Sequence, residues 1–350
     1  MAIFASMNTK DTFTSADEKG FALILVVFII SLATIIVTMF STETFSFLKR
    51  SRSLTDSITA DYAAHSALEV ALSILEIPDD PSLPQQPWQI LSAMPSLPIS
   101  GFIGDVRVQV IDEDALINVN AITASSGISG APTGGDNGPG NGTANIADFW
   151  KFSLVTLFDD LSYTSYPTAS GSSSQFSTEQ QIAILTDWID PDSIPFSSET
   201  FPAKGNESTN QNSLYLNRPL RLIDELGRVP GISISFLQNA AQYLRTGTSN
   251  DYKINVNTAH PLVLKALGFQ DSELNGILDK RQVQRLTPQE LEILVPPSSS
   301  LAKVTTTSSN NYRIIVRSKS VSTIRWLEAE CVVQNGFGKS VATVKRTRIL

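Results

Sequence analysis

Between Phe21 and Thr42 the chain carries no charged side chain, and the run FALILVVFIISLATIIVTMF is built almost wholly from apolar residues. Twenty helical residues at ~1.5 Å each cover ~30 Å, the thickness of a bilayer's hydrocarbon core. A run this long reads as a membrane span rather than as the buried core helix of a soluble protein. A cleaved secretory signal would have a shorter apolar region, about 7–15 residues, followed by a small-x-small site. After Met39 the sequence continues Phe-Ser-Thr-Glu-Thr-Phe, which offers no such site. Flanking charge leaves the orientation open, because Lys10 and Lys19 precede the run while Lys49, Arg50 and Arg52 follow it.

The helix is expected to continue past the span. Ala64, Ala67, Leu68, Ala71, Leu72 and Leu75 recur at i, i+3, i+4, i+7, i+8 and i+11, with His65, Glu69, Ser73 and Glu76 opposite them. That spacing makes one apolar face on which a soluble domain can sit. Pro78, Pro81 and Pro84 then end the helix.

The remainder is long enough for a core of its own. The chain has 350 residues, 42% of them hydrophobic and 17% charged, the balance of a folded globular protein. Its formal net charge of −8 argues against a nucleic-acid backbone as main partner, since counterion release needs clustered Lys and Arg. Cys331 is the single cysteine, so no intrachain disulfide can form. It lies in a strand-like alternation, where it reads as a small buried hydrophobe.

Asp105–Val110 alternates strictly and predicts a half-buried strand. Tyr312–Ser318, Ile324–Gln334 and Ser340–Ile349 predict three more, with Asn335-Gly336 a favourable hairpin turn. Between these ends the pattern changes to short helices, at Glu179–Asp190, Ser233–Tyr243, Pro261–Leu267, Ser272–Arg281 and Pro288–Leu294. Thr123–Ala144 and Thr164–Ser177 are rich in Gly, Ser, Asn and Pro, a composition that buries too little surface to fold and predicts mobile linkers. No internal repeat of useful length stands out.

The two-part helix, preceded by Lys19-Gly20 and opening with Phe21, resembles the type IV pilin family. In that family a membrane peptidase cuts after the glycine and methylates the new N-terminal phenylalanine, which makes Gly20 and Phe21 the implied cleavage pair. Most pilins have glutamate as the fifth mature residue; Leu25 stands there in this chain. An intramembrane carboxylate is costly unless paired, and the K-type minor pseudopilins of type II secretion systems are the class that lacks it. Further motifs resemble that class in order: Val110–Asn120 with its acidic turn and Ile117-Asn118-Val119-Asn120, then Asp187-Trp188-Ile189-Asp190-Pro191-Asp192. Asn217-Arg218-Pro219-Leu220, Asp224-Glu225-Leu226, Val229-Pro230-Gly231 and Ile254-Asn255-Val256-Asn257-Thr258-Ala259 follow.

The resemblance implies an α+β fold: a long N-terminal transmembrane and amphipathic helix packed on a pilin-like antiparallel sheet, with an inserted all-α domain. The implied divisions are a leader at 1–20, the long helix at 21–76, a pilin-like domain from 77–120 and 305–350, and the helical insert at 121–304. Implied partners are the other minor pseudopilins of a tip complex, the major pseudopilin, the prepilin peptidase and the inner membrane. The soluble domain would lie in the periplasm, and partner helices would pack along the positions between Phe21 and Phe47 and the stripe from Ala64 to Leu75. Two departures stand out. The leader sets Asp11, Asp17 and Glu18 against two lysines, where family leaders are basic, and translation from Met7 would shorten it. Many relatives also carry Gly-Gly-Ala-Glu after the Asp-Trp signature; here Ser197–Glu199 through Gly205-Asn206-Glu207 fills that region, so the relatives' glutamate ligand is left unassigned.

Asp187, Asp190 and Asp192 crowd three carboxylates at a helix end before a proline turn. Hard cations such as calcium take six to eight oxygen ligands, and the resemblance implies calcium in the insert. The competing reading is turn-making, since Asp and Asn bond their own backbone and cap helices. Asn255, Asn257 and Thr258 read as a cap for the helix opened by Pro261, and Trp188 as core. With two histidines, His65 and His260, and no Gly-x-Ser-x-Gly, phosphate loop or His-Glu-x-x-His, an enzyme is not expected. The alternative from another class is a DNA-binding membrane protein. Leu226–Ile232 and Asn257–Leu262 look like parts of helix-hairpin-helix modules, though Ser233-Ile234-Ser235-Phe236 follows the hairpin without a basic residue.

Overall fold

A computed structural model describes residues 14–124, 146–165, 176–207, 215–248, 251–297, 299–336 and 339–349. The low-complexity segments expected to link the insert lie mostly outside these residues, as do the first thirteen residues of the leader.

Helix α1 runs from Thr14 to Leu75 without interruption, so that Gly20 and Phe21 lie inside it. From Phe21 to Leu54 every residue is exposed, and by length and composition the apolar part of this stretch is long enough to cross a membrane. Within the apolar run Ser31, Thr34 and Thr38 donate their hydroxyls to the carbonyls of Val27, Ile30 and Thr34 at 2.7–2.8 Å. That back-bonding satisfies polar groups that would otherwise face hydrocarbon.

Beyond Ala60 the helix gains one buried face, with Ala63, Ala64, Ala67, Leu68, Ala71 and Leu75 all in the core. Four alanines let the sheet approach the helix closely, and each fully buried leucine contributes about 2 kcal/mol. The stripe expected to serve partner helices as well is covered by the protein's own sheet. What α1 leaves free beyond the span is a different row, Leu54, Ile58 and Tyr62.

The sheet has four antiparallel strands in the order β1-β6-β7-β8: β1 Asp105–Asp112, β6 Asn311–Lys319, β7 Ile324–Gly336 and β8 Lys339–Ile349. Alternation places Val106, Val108 and Val110 of β1, Tyr312, Ile314 and Val316 of β6, and Leu327, Ala329, Cys331 and Val333 of β7 against α1. Register is fixed by these faces: Val108 pairs Val316, and Ile314 pairs Ala329. Cys331 is buried, as expected, and burial pushes its thiol up to about 12. A short helix absent from the expectations, α2 Pro87–Ala93, closes the core, with Trp88 packed edge-on to Tyr312 at 5.5 Å.

Between β1 and β6 the chain makes the helical insert, on a second core of its own. The insert contains α3 Ile146–Asp160, α4 Thr178–Ile189, α5 Ile234–Ala240, α6 Pro261–Ala266, α7 Asp271–Val283, α8 Pro288–Leu294 and α9 Ser300–Val304. Five of these lie where the periodicity put them. Helix α3 was not expected, although Ala147, Trp150, Leu154, Leu157 and Phe158 form its buried face. Two parallel strand pairs complete the insert, β2 Ile117–Asn118 with β3 Leu244–Arg245, and β4 Ile254–Asn255 with β5 Thr305–Thr306.

The two Ile-Asn-x-Asn elements are structural counterparts, each opening one of these pairs. Asn118 accepts from Asn120 N and donates to the carbonyls of Thr248 and Asp251. Asn255 accepts from Asn257 N and donates to Ser309 Oγ at 2.7 Å. The capping role expected of Asn255, Asn257 and Thr258 is not theirs: His260 Nδ1 accepts from Leu262 N at the start of α6. Asn255 and Asn257 instead hold segments 29 to 54 residues on in sequence.

Two buried carboxylates fasten insert to sheet. Asp114 accepts from the backbone of Asn310 and Asn311 and lies 3.3 Å from Arg245, which also pairs Asp251 at 3.1 Å. Asp112 accepts from Ser309 Oγ at 2.6 Å, from Asn255 and from Thr258. On the other side, Arg285 of the insert pairs Asp79 at 2.9 Å in the loop after α1.

Candidate metal centre

Helix α4 starts at a Ser177 cap, its hydroxyl accepting from Gln180 N, and buries Ile182, Ala183, Leu185 and Ile189 in the insert core. That anchoring brings its last turn, and the three aspartates of the sequence signature, to the edge of the insert. The chain then loops out and returns twice beside the helix end, at Glu207 and at Asn217.

Asp187 is fully buried, and its carboxylate is consumed by the loop. Oδ1 accepts from Phe196 N at 2.6 Å, while Oδ2 accepts from Glu207 N at 2.7 Å and from Asn206 N. Gly205 makes this possible, since a Cβ there would lie 2.1 Å from the carboxylate. Burial raises the Asp187 pKa, against the lowering effect of the three backbone donors.

Asp190, Asp192 and Glu207 form the cluster: one carboxylate oxygen of each lies within 4.8 Å of the others. Asp190 closes α4, its N–H bonded to Thr186 O at 2.9 Å, and Asp192 turns the chain by accepting from Ile194 N at 2.8 Å. Asn217, at a positive φ of 45°, donates to Glu207 Oε1 at 3.2 Å and to Asp192 O at 2.9 Å. Among the described residues Asp190 Oδ1, Glu207 Oε2 and Asn217 Oδ1 are buried without a hydrogen-bond donor. Burial and the neighbouring Asp192, Asp187 and Glu207 carboxylates push Asp190 up to about 7, while Lys151 pulls it down. Glu207 is raised as well, chiefly by burial.

The site therefore combines mutually repelling carboxylates with three buried oxygens that have no donor, the condition a hard divalent cation relieves. The donor set fits calcium: Asp190, Asp192 and Glu207 would supply charge, and Asn217 Oδ1 a neutral oxygen. Of the sequence-chosen trio, two belong to this group and Asp187 serves as the loop's organiser. Glu207 takes the place left unassigned in the sequence, and the pattern Gly205-Asn206-Glu207 was the available signal for it. Nearby, Lys151 is buried on Asp148 at 3.0 Å and lies 4.3 Å from the Phe196 ring centre. Asp148 in turn accepts from Ser198 and Thr200, which ties the same loop to α3.

The other sequence-marked elements fall elsewhere. Trp188 is core, packed on Tyr215 at 5.6 Å. The Pro230-Gly231 turn faces inward onto α4, where Gln181 Nε2 donates to Pro230 O at 2.9 Å and Tyr163 donates to Gly231 O at 2.9 Å.

A long helix laid on a four-stranded antiparallel sheet, with a helical domain inserted between the first two neighbouring strands, is a pseudopilin fold. One solved relative shares it: a chain in the crystal structure of the GspK-GspI-GspJ complex from the enterotoxigenic Escherichia coli Type 2 Secretion System. The likeness covers 86% of this chain and 99% of that one, with a TM-score of 0.56 and 20% sequence identity. The fold expected from the K-type resemblance is thus the fold observed. No protein-family profile matches the chain, and no curated protein does.

Proposed function

We propose that this chain is a K-type minor pseudopilin that works in type II protein secretion as a structural, non-catalytic subunit. The observation that carries this reading is the insertion of a helical domain between β1 and β6 of a pilin-like sheet. It coincides with Leu25 at the place of the pilin glutamate. The exposed apolar half of α1 would anchor the subunit in the inner membrane by a single span, with sheet and insert in the periplasm. Cleavage between Gly20 and Phe21 by a prepilin peptidase would free the mature end.

The subunit would stand at the tip of a short pseudopilus. Lacking the glutamate, it has no carboxylate to meet another subunit's terminal amine. The insert adds bulk that would hinder a further subunit from stacking above it. Partners of the kinds named in the related complex, GspI and GspJ, would pack beside α1, followed by the major pseudopilin. Calcium would tie Asp190, Asp192, Glu207 and Asn217 together as a structural ion.

The test is co-expression with minor pseudopilins of the GspI and GspJ kinds, followed by site-specific crosslinking. Crosslinks from α1 to partner helices, with none from the insert to a subunit above it, are the expected result. Crosslinks from the insert to the sheet of a subunit stacked above would overturn the tip position, and failure to join any pseudopilin complex would overturn the function. The DNA-binding alternative predicts salt-sensitive retention of a duplex probe.

A further inference from the structure

The membrane-facing end of the sheet carries two bare aliphatic side chains. Ile103, in the loop before β1, is 88% exposed, and Val321, at the tip of the β6–β7 turn, is 85% exposed. They belong to one end of the sheet, because Asp105 of β1 pairs Lys319 of β6 and each side chain lies two residues beyond that pair. Gly104 lets the first loop press on that end, where a Cβ would meet Lys319 O at 2.3 Å.

This end points toward the span. Ser322 donates to Asp56 at 2.6 Å and Arg325 pairs Asp61 at 3.1 Å, whereas Ala342, at the far end of the sheet, bonds Glu76. The β6–β7 turn is closed by Ser320 N on Thr323 O at 2.9 Å. Thr323 borders one groove with Lys49, Arg50 and Leu54. Lys49, Arg50, Arg52 and Lys319 form no ion pair among the described residues. The acids at this end are engaged, Asp105 by Arg107 and Arg317, Asp61 by Arg325, and Asp56 by Ser322.

The uncharged run from Phe21 to Thr42 is ~33 Å long at ~1.5 Å per residue against a ~30 Å core, and Glu43 follows it. Membrane helices commonly tilt by about 20°, and a tilt toward the sheet would lower Ile103 and Val321 toward the headgroup layer, beside the cations that follow Leu48.

We infer that this end of the sheet is a membrane-docking foot, in which Ile103 and Val321 enter the interface of an anionic bilayer while Lys49, Arg50 and Arg52 meet its phosphates. The inference rests on the reading of α1 as a span. The occupant is the bilayer itself, because the surface is continuous with the apolar helix and its free charge is opposite to that of acidic phospholipids.

The test uses the full chain in nanodiscs of phosphatidylcholine mixed with phosphatidylglycerol, carrying a nitroxide at Ile103→Cys, Val321→Cys, Ile30→Cys or Val283→Cys. Cys331 is buried, and the parent protein gives the labelling blank. Labels at 103 and 321 should favour collisions with oxygen over those with an aqueous nickel complex, relative to the label at 283 on the insert. The preference should fall in phosphatidylcholine alone and when Lys49, Arg50 and Arg52 are changed to Gln. Labels at 103 and 321 as open to nickel as the one at 283, with 30 buried in lipid, would overturn the foot alone. A nickel-accessible label at 30 would overturn the span and the foot with it.

Discussion

Asn120 and Asn257 each exchange two hydrogen bonds with the backbone of a single leucine, far off in sequence. Asn120 donates to Leu220 O at 2.9 Å and accepts from Leu220 N at 2.8 Å. Asn257 donates to Leu286 O at 3.0 Å and accepts from Leu286 N at 2.8 Å. Each then donates to one more carbonyl, Gly247 O or Thr307 O. A primary amide mimics a strand neighbour at both places. Alanine at either position strands a buried donor and two acceptors, so Asn120→Ala and Asn257→Ala should each cost about 2–4 kcal/mol. Urea unfolding of the detergent-solubilised protein checks this, and a loss under half a kcal/mol would refute the clamp.

Calcium should separate Glu207 from Asp187. At about one hundred times its dissociation constant the ion should stabilise the native protein by about 2.7 kcal/mol. Glu207→Gln or Asp190→Asn should abolish that gain. Asp187→Asn should instead destabilise by about 2–4 kcal/mol in calcium and chelator alike, because it puts a donor where three backbone N–H groups converge. Thermal melts with calcium and with chelator distinguish the two behaviours.

Gly205→Ala should behave like Asp187→Asn rather than like Glu207→Gln. The added methyl falls on the Asp187 carboxylate, so the 196–207 loop must shift whether or not metal is present. A variant that melts like the parent in chelator would show that the loop has slack.

Asp112 should make the sheet-to-insert joint sensitive to pH. Burial raises its pKa from 3.8 to about 6, although Ser309 and Thr258 donate to it. Between these values the folded protein keeps a proton that the unfolded chain has released, so this residue's contribution to stability falls as pH rises through the window. Relative to Asp112→Asn, the parent should lose up to about 3 kcal/mol between about pH 4 and pH 6.5. Parallel denaturation curves would remove the effect.

Processing is checked by mass spectrometry. A mature chain beginning at Phe21 is expected, and replacing Gly20 by a bulky residue should leave the unprocessed form in the membrane. A mature end beyond Phe40 would restore the signal-peptide reading.

Much of this fold could be read from spacing alone. The Ala64–Leu75 stripe, the valines of β1 and the alternation of β6 and β7 are local patterns with a period, and the structure buries the same faces. Helix α3 has an equally clear period at Ala147, Trp150, Leu154 and Leu157, but it lies between two segments of linker composition that draw attention from it. The asparagines were misjudged for a different reason. Their partners at Leu286, Thr307 and Ser309 are set by the return of the chain, which no local window contains. The same holds for Glu207, which meets Asp190, and for Asn217, which meets Asp192 and Glu207, because both depend on how the chain comes back to α4.

The insertion point also bears on how the molecule reaches this shape. Asp112 and Tyr312 are register partners on adjacent strands, yet the whole insert separates them in the chain. Strands β6, β7 and β8 can zip together as local hairpins, whereas β1 must wait for a loop closure that grows more costly with the length of loose chain. A collapsed insert shortens that search, because its own parallel pairs bring Ile117 near Leu244 and Ile254 near Thr305. A helical domain that collapses first would act as a folding clasp, with the sheet completed when β1 docks on an edge already made.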